Sequence, residues 1–263
     1  MRALQQDVPV DQHPKARILL GLWIFSLVSL TDADEEFHGD ELEEALAKAA
    51  TENNTVILVV ANKAYTEGDK PMLDIFLDAF WLGIDTHPLT KHLLVVADMD
   101  VLWLRNPFLR LMNESLDLQI SVDNFNGDQW SDNNPINTGF YMIRSNEKTI
   151  ALYDEWYDEK DRSPGKKEQD VLFDLMRKGA FKRLGLEVRF LDTVYFSGFC
   201  QNSRDVHVVS TVHANCCRSI RAKVADLIAV LHDWKRYRAS SGDVSGFRWS
   251  EHIACKNSWH RRR

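Results

Sequence analysis

The sequence of 263 residues is 44% hydrophobic and 27% charged, which is an ordinary composition for a globular protein. This length suits one large α/β domain or two small ones. With 39 acidic residues against 32 basic ones and a formal net charge of −7, the chain has no broad cationic face of the kind that binds nucleic acid. We therefore exclude nucleic acid as a partner.

The N-terminal region contains the only long apolar run of the sequence. Residues 18–30 (ILLGLWIFSLVSL) follow Arg2, Lys15 and Arg17 and precede an acidic stretch at 31–44. At about 1.5 Å per residue, a helix of this length is shorter than the roughly 30 Å of a bilayer core. The pattern favours a signal peptide or a short signal anchor over the alternative, a buried core helix or strand. A signal anchor of this charge pattern leaves the rest of the chain in the lumen.

The cysteines agree with a secretory compartment. All four lie in the last quarter of the chain: Cys200, Cys216, Cys217 and Cys255. They can form two disulfides, and the sequence leaves their pairing open among three possibilities. A zinc site is disfavoured because the adjacent Cys216 and Cys217 lack the spacing that lets two thiolates reach one ion. Sequons at Asn53 and Asn113 predict glycosylation if the chain enters the secretory route.

A strand–helix–strand pattern follows the acidic stretch. Buried strands are predicted at 55–61 and 92–97, and a helix with Pro71 in its first turn is predicted at 69–84. Elements of this length form a βαβ unit, which implies a parallel sheet. Functional groups in such sheets gather beyond the carboxyl ends of the strands, which is where Asp98 and Asp100 lie.

The remainder of the chain continues to alternate strands and helices. Helical spacing and capping residues predict three helices, the first of them capped by Ser145: 146–159, 168–178 and 217–237. Short β-branched and aromatic runs predict four strands: 118–123, 138–144, 188–191 and 206–212. The sequence contains no internal repeat or low-complexity segment. These elements predict an α/β fold.

Asp98 and Asp100 stand one residue apart at the end of an apolar strand. Their oxygens suit a hard divalent cation such as Mn²⁺ or Mg²⁺, which commonly shares its ligands with substrate phosphates. Such a cation stabilises the charge that grows on a diphosphate leaving group. An alternative is a phosphatase of the haloacid-dehalogenase type, with Asp98 as nucleophile. That hypothesis is disfavoured because too few residues separate Asp100 from the next acidic motif, at 127–132.

Five motifs in order connect the chain with a known family. They are DMDVLWLRNPF (98–108), NTGFYMIRSN (137–146), EQDVLFDLM (168–176), VRFLDTVYFSGFC (188–200) and HANCC (213–217). Together they resemble the plant nucleotide-diphospho-sugar transferase domain, the group that includes cell-wall xylosyl- and arabinosyltransferases. The resemblance runs from about Thr55 to Trp249. It implies a GT-A-like, Rossmann-related sandwich with a mixed, mostly parallel sheet, a metal-dependent glycosyltransferase activity and a type II Golgi membrane topology.

The resemblance also assigns candidate site residues. It implies metal and diphosphate ligands at Asp98, Asp100 and His213. The alternative role for His213 is to cap a strand end. Near the donor sugar and acceptor it implies three catalytic candidates: Asp170, Gln169 and, more weakly, Asp123. For substrate binding it implies a sugar-facing loop that begins at Asn137, Thr138 and Gly139. It also implies a nucleoside contact at Asn62. The implied partners are a nucleotide-sugar donor, a glycan or glycoprotein acceptor, and the membrane that holds the signal anchor.

The chain departs from the family pattern just before the acidic pair. Family members carry a long segment between the strand that resembles 92–97 and the D-x-D motif, and this segment is absent here. The expected fold is therefore truncated by an internal deletion, and a non-catalytic family member that binds a partner protein or a glycan is a competing hypothesis. We expect a signal anchor and stem at 1–54, a glycosyltransferase-like domain at 55–249 and a basic tail at 250–263.

Overall fold

The computed structural model describes residues 39–52, 55–59, 72–95, 99–111, 115–240 and 246–259. In chain order, the elements are α1 (Gly39–Ala49), β1 (Ile57–Val59), α2 (Met72–Leu82), a 3₁₀ helix (His87–His92), β2 (Leu93–Val95), β3 (Val101–Trp103), α3 (Phe108–Leu111), β4 (Leu118–Val122), β5 (Ile136–Ile143), α4 (Glu147–Glu159), α5 (Glu168–Arg177), α6 (Ala180–Arg183), β6 (Val188–Phe190), β7 (Phe196–Gly198), β8 (Thr211–His213), α7 (Ile220–Ala239) and α8 (Ile253–Ser258). The fold is mixed α/β, as the alternation of apolar runs predicts.

The predicted βαβ unit is confirmed. Strand β1 pairs parallel to β2, with Ile57 opposite Leu93, and α2 lies between them in the chain. Helix α2 presents Ile75, Phe76 and Phe80 to the core because these residues recur at helical spacing on one face. The strand ends that would follow β2, including Asp98, lie outside the described residues.

A second sheet has the order β3-β8-β7. Strand β8 is antiparallel to β3 and parallel to β7, so this sheet is mixed. Helix α7 covers it together with α2, and Trp234 lies fully buried between the two helices. The Trp234 indole donates a hydrogen bond to the Leu82 carbonyl oxygen over 2.9 Å, which ties α7 to the end of α2. This core supports one side of the candidate site.

The third sheet has the order β5-β4-β6. Strand β4 is its centre, antiparallel to β5 and parallel to β6, and all five of its residues are buried. Leu118, Ile120 and Val122 face a core formed with α4 and α5. Among the described residues, the three sheets contain three parallel and two antiparallel pairings, which confirms the prediction of a mixed sheet.

Several predicted boundaries are wrong: α7 begins at Ile220 and not at 217, and β5 begins at Ile136 and not at 138. The N-cap of α4 is Asn146 and not Ser145, because the Asn146 side chain accepts hydrogen bonds from the amides of Lys148 and Thr149 while the Thr149 hydroxyl accepts from Asn146 N. The strand predicted at 206–212 begins only at Thr211. The Asp205 side chain accepts a hydrogen bond from His207 N, and residues 206–208 form a turn instead of a strand.

The cysteine pairing that the sequence leaves open is Cys200–Cys216 and Cys217–Cys255. The first disulfide joins the ends of β7 and β8, and the second fastens α8 to the segment before α7. Across the described part of the chain, no helix is long and apolar enough to span a membrane. The apolar run at 18–30 lies outside those residues.

Candidate functional site

The antiparallel pairing of β3 with β8 brings Asp100 and His213 together. Val101 lies opposite His213, and the Ala214 amide donates to the Asp100 carbonyl oxygen over 2.8 Å. This register places Nε2 of His213 3.4 Å from Oδ1 of Asp100, although the two residues are far apart in the sequence. The structure therefore unites two of the three predicted metal ligands.

A lysine completes the surroundings of Asp100. Lys223, in the first turn of α7, places its Nζ 2.5 Å from Oδ2 of Asp100. The Asp100 side chain is only 3% exposed. Burial by itself raises the pKa of Asp100, but the interactions with His213 and Lys223 outweigh it and hold that pKa well below its ordinary value. Asp100 is therefore a buried carboxylate anion with positively charged or polarisable neighbours on both oxygens.

Gly139 leaves the space that the His213 ring occupies. A Cβ on residue 139 would lie 2.7 Å from Nε2 of His213, closer than real Cβ contacts allow. Because residue 139 has no side chain, the His213 imidazole on β8 packs directly against the β5 backbone. The position of Nε2 beside Asp100 depends on this contact.

Asp123 occupies the seam between two sheets. Its Oδ1 accepts hydrogen bonds from Asn137 Nδ2 over 2.7 Å and from Asn215 Nδ2 over 2.9 Å. Asn137 in turn accepts the Gly139 amide on its Oδ1, at 2.8 Å. Asn215 accepts the Cys200 amide at 3.0 Å. A carboxylate and two amides therefore fix the segment that carries Gly139.

The other sequence-predicted candidates lie on the N-terminal turn of α5. The Gln169 Oε1 accepts the Thr138 amide over 3.3 Å, so Gln169 and Thr138 lie together. Asp170 is exposed, and its Oδ2 accepts the Lys167 amide over 3.2 Å, a local contact at the start of the helix. The catalytic role of Asp170 stays a prediction. Asn62 lies outside the described residues.

The donor atoms near Asp100 fit a hard divalent cation in kind. Carboxylate oxygen and imidazole nitrogen are ligands that Mn²⁺ accepts. Within the described ranges, no group of three or more His, Cys, Asp or Glu side chains is placed to hold a metal ion. Asp98, the third predicted ligand, lies outside those ranges. Asp100 and His213 are therefore two ligands of a candidate metal site.

Two residues of the site are missing from the sequence-based prediction. Lys223 stands on the apolar stripe of α7, three residues after Ile220 and four before Leu227, and a lysine on a buried stripe is a usable signal. Asn215 stands inside the HANCC motif, but nothing in the spacing points to Asp123 as its partner. Arg105, in contrast, is structural: it donates to the Val209 carbonyl oxygen and lies 4.7 Å over the Trp234 ring.

Comparison with known proteins identifies relatives of most of the chain. A family model described as nucleotide-diphospho-sugar transferase matches residues 93–227. Uncharacterized protein At1g28695 of Arabidopsis thaliana is 43% identical, with 84% of this chain and 85% of that protein covered. Uncharacterized protein At4g15970 of Arabidopsis thaliana is 33% identical, with 83% of this chain and 74% of that protein covered. No solved structure matches the chain.

The first of these alignments is longer than the chain itself. It spans 288 residues, whereas the chain has 263. The relative therefore contains residues within the aligned span that have no counterpart here. That the missing residues lie before the D-x-D motif stays a prediction.

Proposed function

Because this chain belongs to the nucleotide-diphospho-sugar transferase family, we propose that it transfers a sugar from a UDP-linked donor to a glycan or glycoprotein acceptor of the plant cell wall. The observation that carries the proposal is the approach of Asp100 and His213 at the junction of β3 and β8. Burial of a carboxylate costs desolvation energy that charged neighbours must offset, and such clusters of charged groups are concentrated at functional sites.

The proposed donor site includes a divalent cation, Mn²⁺ or Mg²⁺, held by Asp98, Asp100 and His213. When bound, the cation would neutralise charge on the diphosphate as the bond to the sugar breaks. The protein's own contribution is to hold Asp100 ionised and to orient the His213 ring. The first follows from Lys223 and the second from the absence of a side chain at Gly139.

The sugar is proposed to lie along the start of β5 and α5. Gln169 holds the Thr138 amide, and Asn137 holds the Gly139 amide, so this segment presents a fixed backbone to the donor. Amide and carboxylate groups of this kind suit the hydroxyls of a sugar. Gln169, Asp170 and Asp123 are the proposed groups for donor sugar and acceptor, and Asn62 is the proposed nucleoside contact.

We place the protein in the Golgi lumen, anchored by residues 18–30. Both disulfides support this proposal, because disulfides persist in the oxidising compartments of the secretory route. The family assignment supports the transferase interpretation of the D-x-D motif over the phosphatase interpretation.

Calorimetric titration of UDP into the protein tests the proposal. We expect UDP to bind in the presence of Mn²⁺ and to bind at least about tenfold more weakly in EDTA, because a cation held by Asp98, Asp100 and His213 would offset the charge of the diphosphate. A failure of UDP to bind in either condition would contradict the proposal.

A second candidate function is a non-catalytic role in which the protein binds a partner protein or a glycan. The observation that favours it is the segment that the 288-residue alignment contains and this chain lacks. This candidate predicts no release of UDP from any UDP-sugar. The transferase predicts UDP binding and UDP release, so a turnover assay on the same sample separates them.

A further inference from the structure

The ion pair between Lys223 and Asp100 involves the same carboxylate to which the proposed function assigns a divalent cation. The Lys223 Nζ lies 2.5 Å from Oδ2 of Asp100, and the lysine side chain is 19% exposed. Lysine is rarely buried to this extent unless it is paired. The same carboxylate is a proposed cation ligand, so an ammonium and a divalent cation have the same partner.

The two positive charges cannot both lie against Asp100 without strong repulsion. The Oδ1 oxygen faces His213 at 3.4 Å and the Oδ2 oxygen is engaged by Lys223. A divalent cation on this carboxylate would stand within a few ångströms of the ammonium, where like charges repel strongly because burial weakens the screening by water. One of the two must therefore move.

Lys223 is the group that can move. Its ammonium is a point charge on a flexible four-carbon stem, whereas Asp100 is fixed by the hydrogen bond from Ala214 to its backbone and by burial. Because Lys223 stands in the first turn of α7, its backbone is held, whereas its long side chain has several rotamers available to it. A donor diphosphate would bring oxygen anions to the same place, and an ammonium binds such anions well.

We propose that the Lys223 ammonium neutralises Asp100 in the free protein. When a divalent cation binds Asp100, the Lys223 side chain moves and its ammonium pairs with a diphosphate oxygen of the donor. This inference rests on the proposed function. It makes the cation and the donor bind in synergy, because the donor supplies the new partner that Lys223 needs after it leaves Asp100. It also weakens cation binding at Asp100 when no donor is present.

The test measures Mn²⁺ and UDP binding separately in three proteins: wild type, Lys223→Gln and Lys235→Gln. Glutamine at 223 can still donate a hydrogen bond to Asp100 but carries no charge. Lys235 is an exposed lysine on the same helix, about 18 Å further along its axis, and serves as the matched control. Electron paramagnetic resonance of free Mn²⁺ reports the cation, and calorimetry at saturating Mn²⁺ reports UDP and uridine.

We expect opposite effects at position 223. Lys223→Gln should bind Mn²⁺ about tenfold more tightly than wild type without nucleotide, because the competing ammonium is gone. The same variant should bind UDP about 10- to 100-fold more weakly at saturating Mn²⁺, because a charge-assisted hydrogen bond to the diphosphate is lost. Uridine, which has no phosphate, should bind both proteins equally, and Lys235→Gln should behave as wild type.

Two results would overturn the inference. If Lys223→Gln weakens Mn²⁺, UDP and uridine binding together, Lys223 only supports the fold. If Lys223→Gln binds Mn²⁺ no more tightly than wild type, the ammonium does not compete for Asp100. Because the Mn²⁺ measurement uses no nucleotide, it is distinct from a failure of wild type to bind UDP, which overturns the proposed function itself. Lys223→Arg, which keeps the charge, should retain the weak Mn²⁺ binding of wild type.

Discussion

Asn215 donates a hydrogen bond from Nδ2 to Oδ1 of Asp123 over 2.9 Å, and this contact joins two different sheets. Asp123 follows β4 of the sheet β5-β4-β6, and Asn215 follows β8 of the sheet β3-β8-β7. Because Gly139 and His213 lie on those two sheets, the contact between Asn215 and Asp123 helps fix their separation. Asp123 thus has a positioning role that its place at a strand end does not by itself reveal.

Removal of the Asp123 carboxylate should destabilise the fold. In Asp123→Ala, the side-chain amides of Asn137 and Asn215 lose their acceptor, and we expect the free energy of unfolding to fall by roughly 2–4 kcal/mol. Asp123→Asn keeps an acceptor oxygen and should lose less. Urea denaturation measures both, with the exposed Asp132→Ala as control. Equal stability of Asp123→Ala and the control would contradict this role.

Gly139→Ala should displace the His213 ring. The new Cβ would lie 2.7 Å from Nε2 of His213, so the imidazole must shift away from Asp100. We expect about 1–3 kcal/mol of lost stability and about 10- to 100-fold weaker Mn²⁺-dependent UDP binding. Gly127→Ala is the control, because Gly127 has φ of 96° with no side chain nearby, so its substitution strains the backbone away from the site. Equal UDP affinity in the two variants would show that the ring position is unimportant.

The pH dependence of stability should contain a contribution from His252. Its ring is 4% exposed and stacks on Phe199 with ring centroids 3.6 Å apart. Burial lowers the pKa of His252 from 6.5 to about 4. The unfolded chain therefore takes up a proton between pH 6.5 and 4 that the folded chain does not, so stability falls as the pH falls through this window.

Comparison of wild type with His252→Phe measures this contribution. Phenylalanine keeps the stacking on Phe199 but does not titrate. Between pH 6.5 and 4 the free energy of unfolding of wild type should fall by on the order of 3 kcal/mol more than that of the variant. Urea denaturation at four pH values across the window provides the two curves. Parallel curves would rule out a buried, neutral His252.

The two disulfides should differ in their effect on UDP binding, although both stabilise the fold. Their cysteines are 16 and 38 residues apart, which corresponds to about 3 and about 4 kcal/mol of stability for Cys200–Cys216 and Cys217–Cys255. Paired serine substitutions of Cys200 and Cys216 should also weaken UDP binding, because this disulfide fixes the segment whose Cys200 amide donates to Asn215. Paired serine substitutions of the other disulfide should lower stability only. Equal losses of UDP affinity would refute the distinction.

The sequence predicts the elements of this fold well where the pattern is local. The parallel pairing of β1 with β2 follows from two short β-branched runs around a helical one. The helices α4, α5 and α7 lie where apolar spacing places them. Boundaries are less well predicted, because competing caps such as Ser145 and Asn146 stand side by side and only three-dimensional hydrogen bonds select one.

The site is predictable only in part, because its contacts cross between sheets. Asp100 and His213 come from motifs, and their approach follows from the register of β3 and β8. The pairing of Lys223 with Asp100 depends on the angle at which α7 crosses that sheet, and the sequence does not encode that angle locally. Predictions for Asp98 and Asn62 lie outside the described residues.

Release of UDP from UDP-sugars shows whether the protein is a sugar transferase that depends on Asp100. Purified wild type and Asp100→Asn are incubated in Mn²⁺ with UDP-xylose, UDP-arabinose, UDP-galactose and UDP-glucose, and free UDP is measured. We expect wild type to release UDP from at least one donor, and Asp100→Asn, still folded, to be at least about 100-fold slower, because the substitution removes the charge that organises the leaving-group side of the site. Equal rates in the two proteins, or no release from any donor by wild type, would contradict the account.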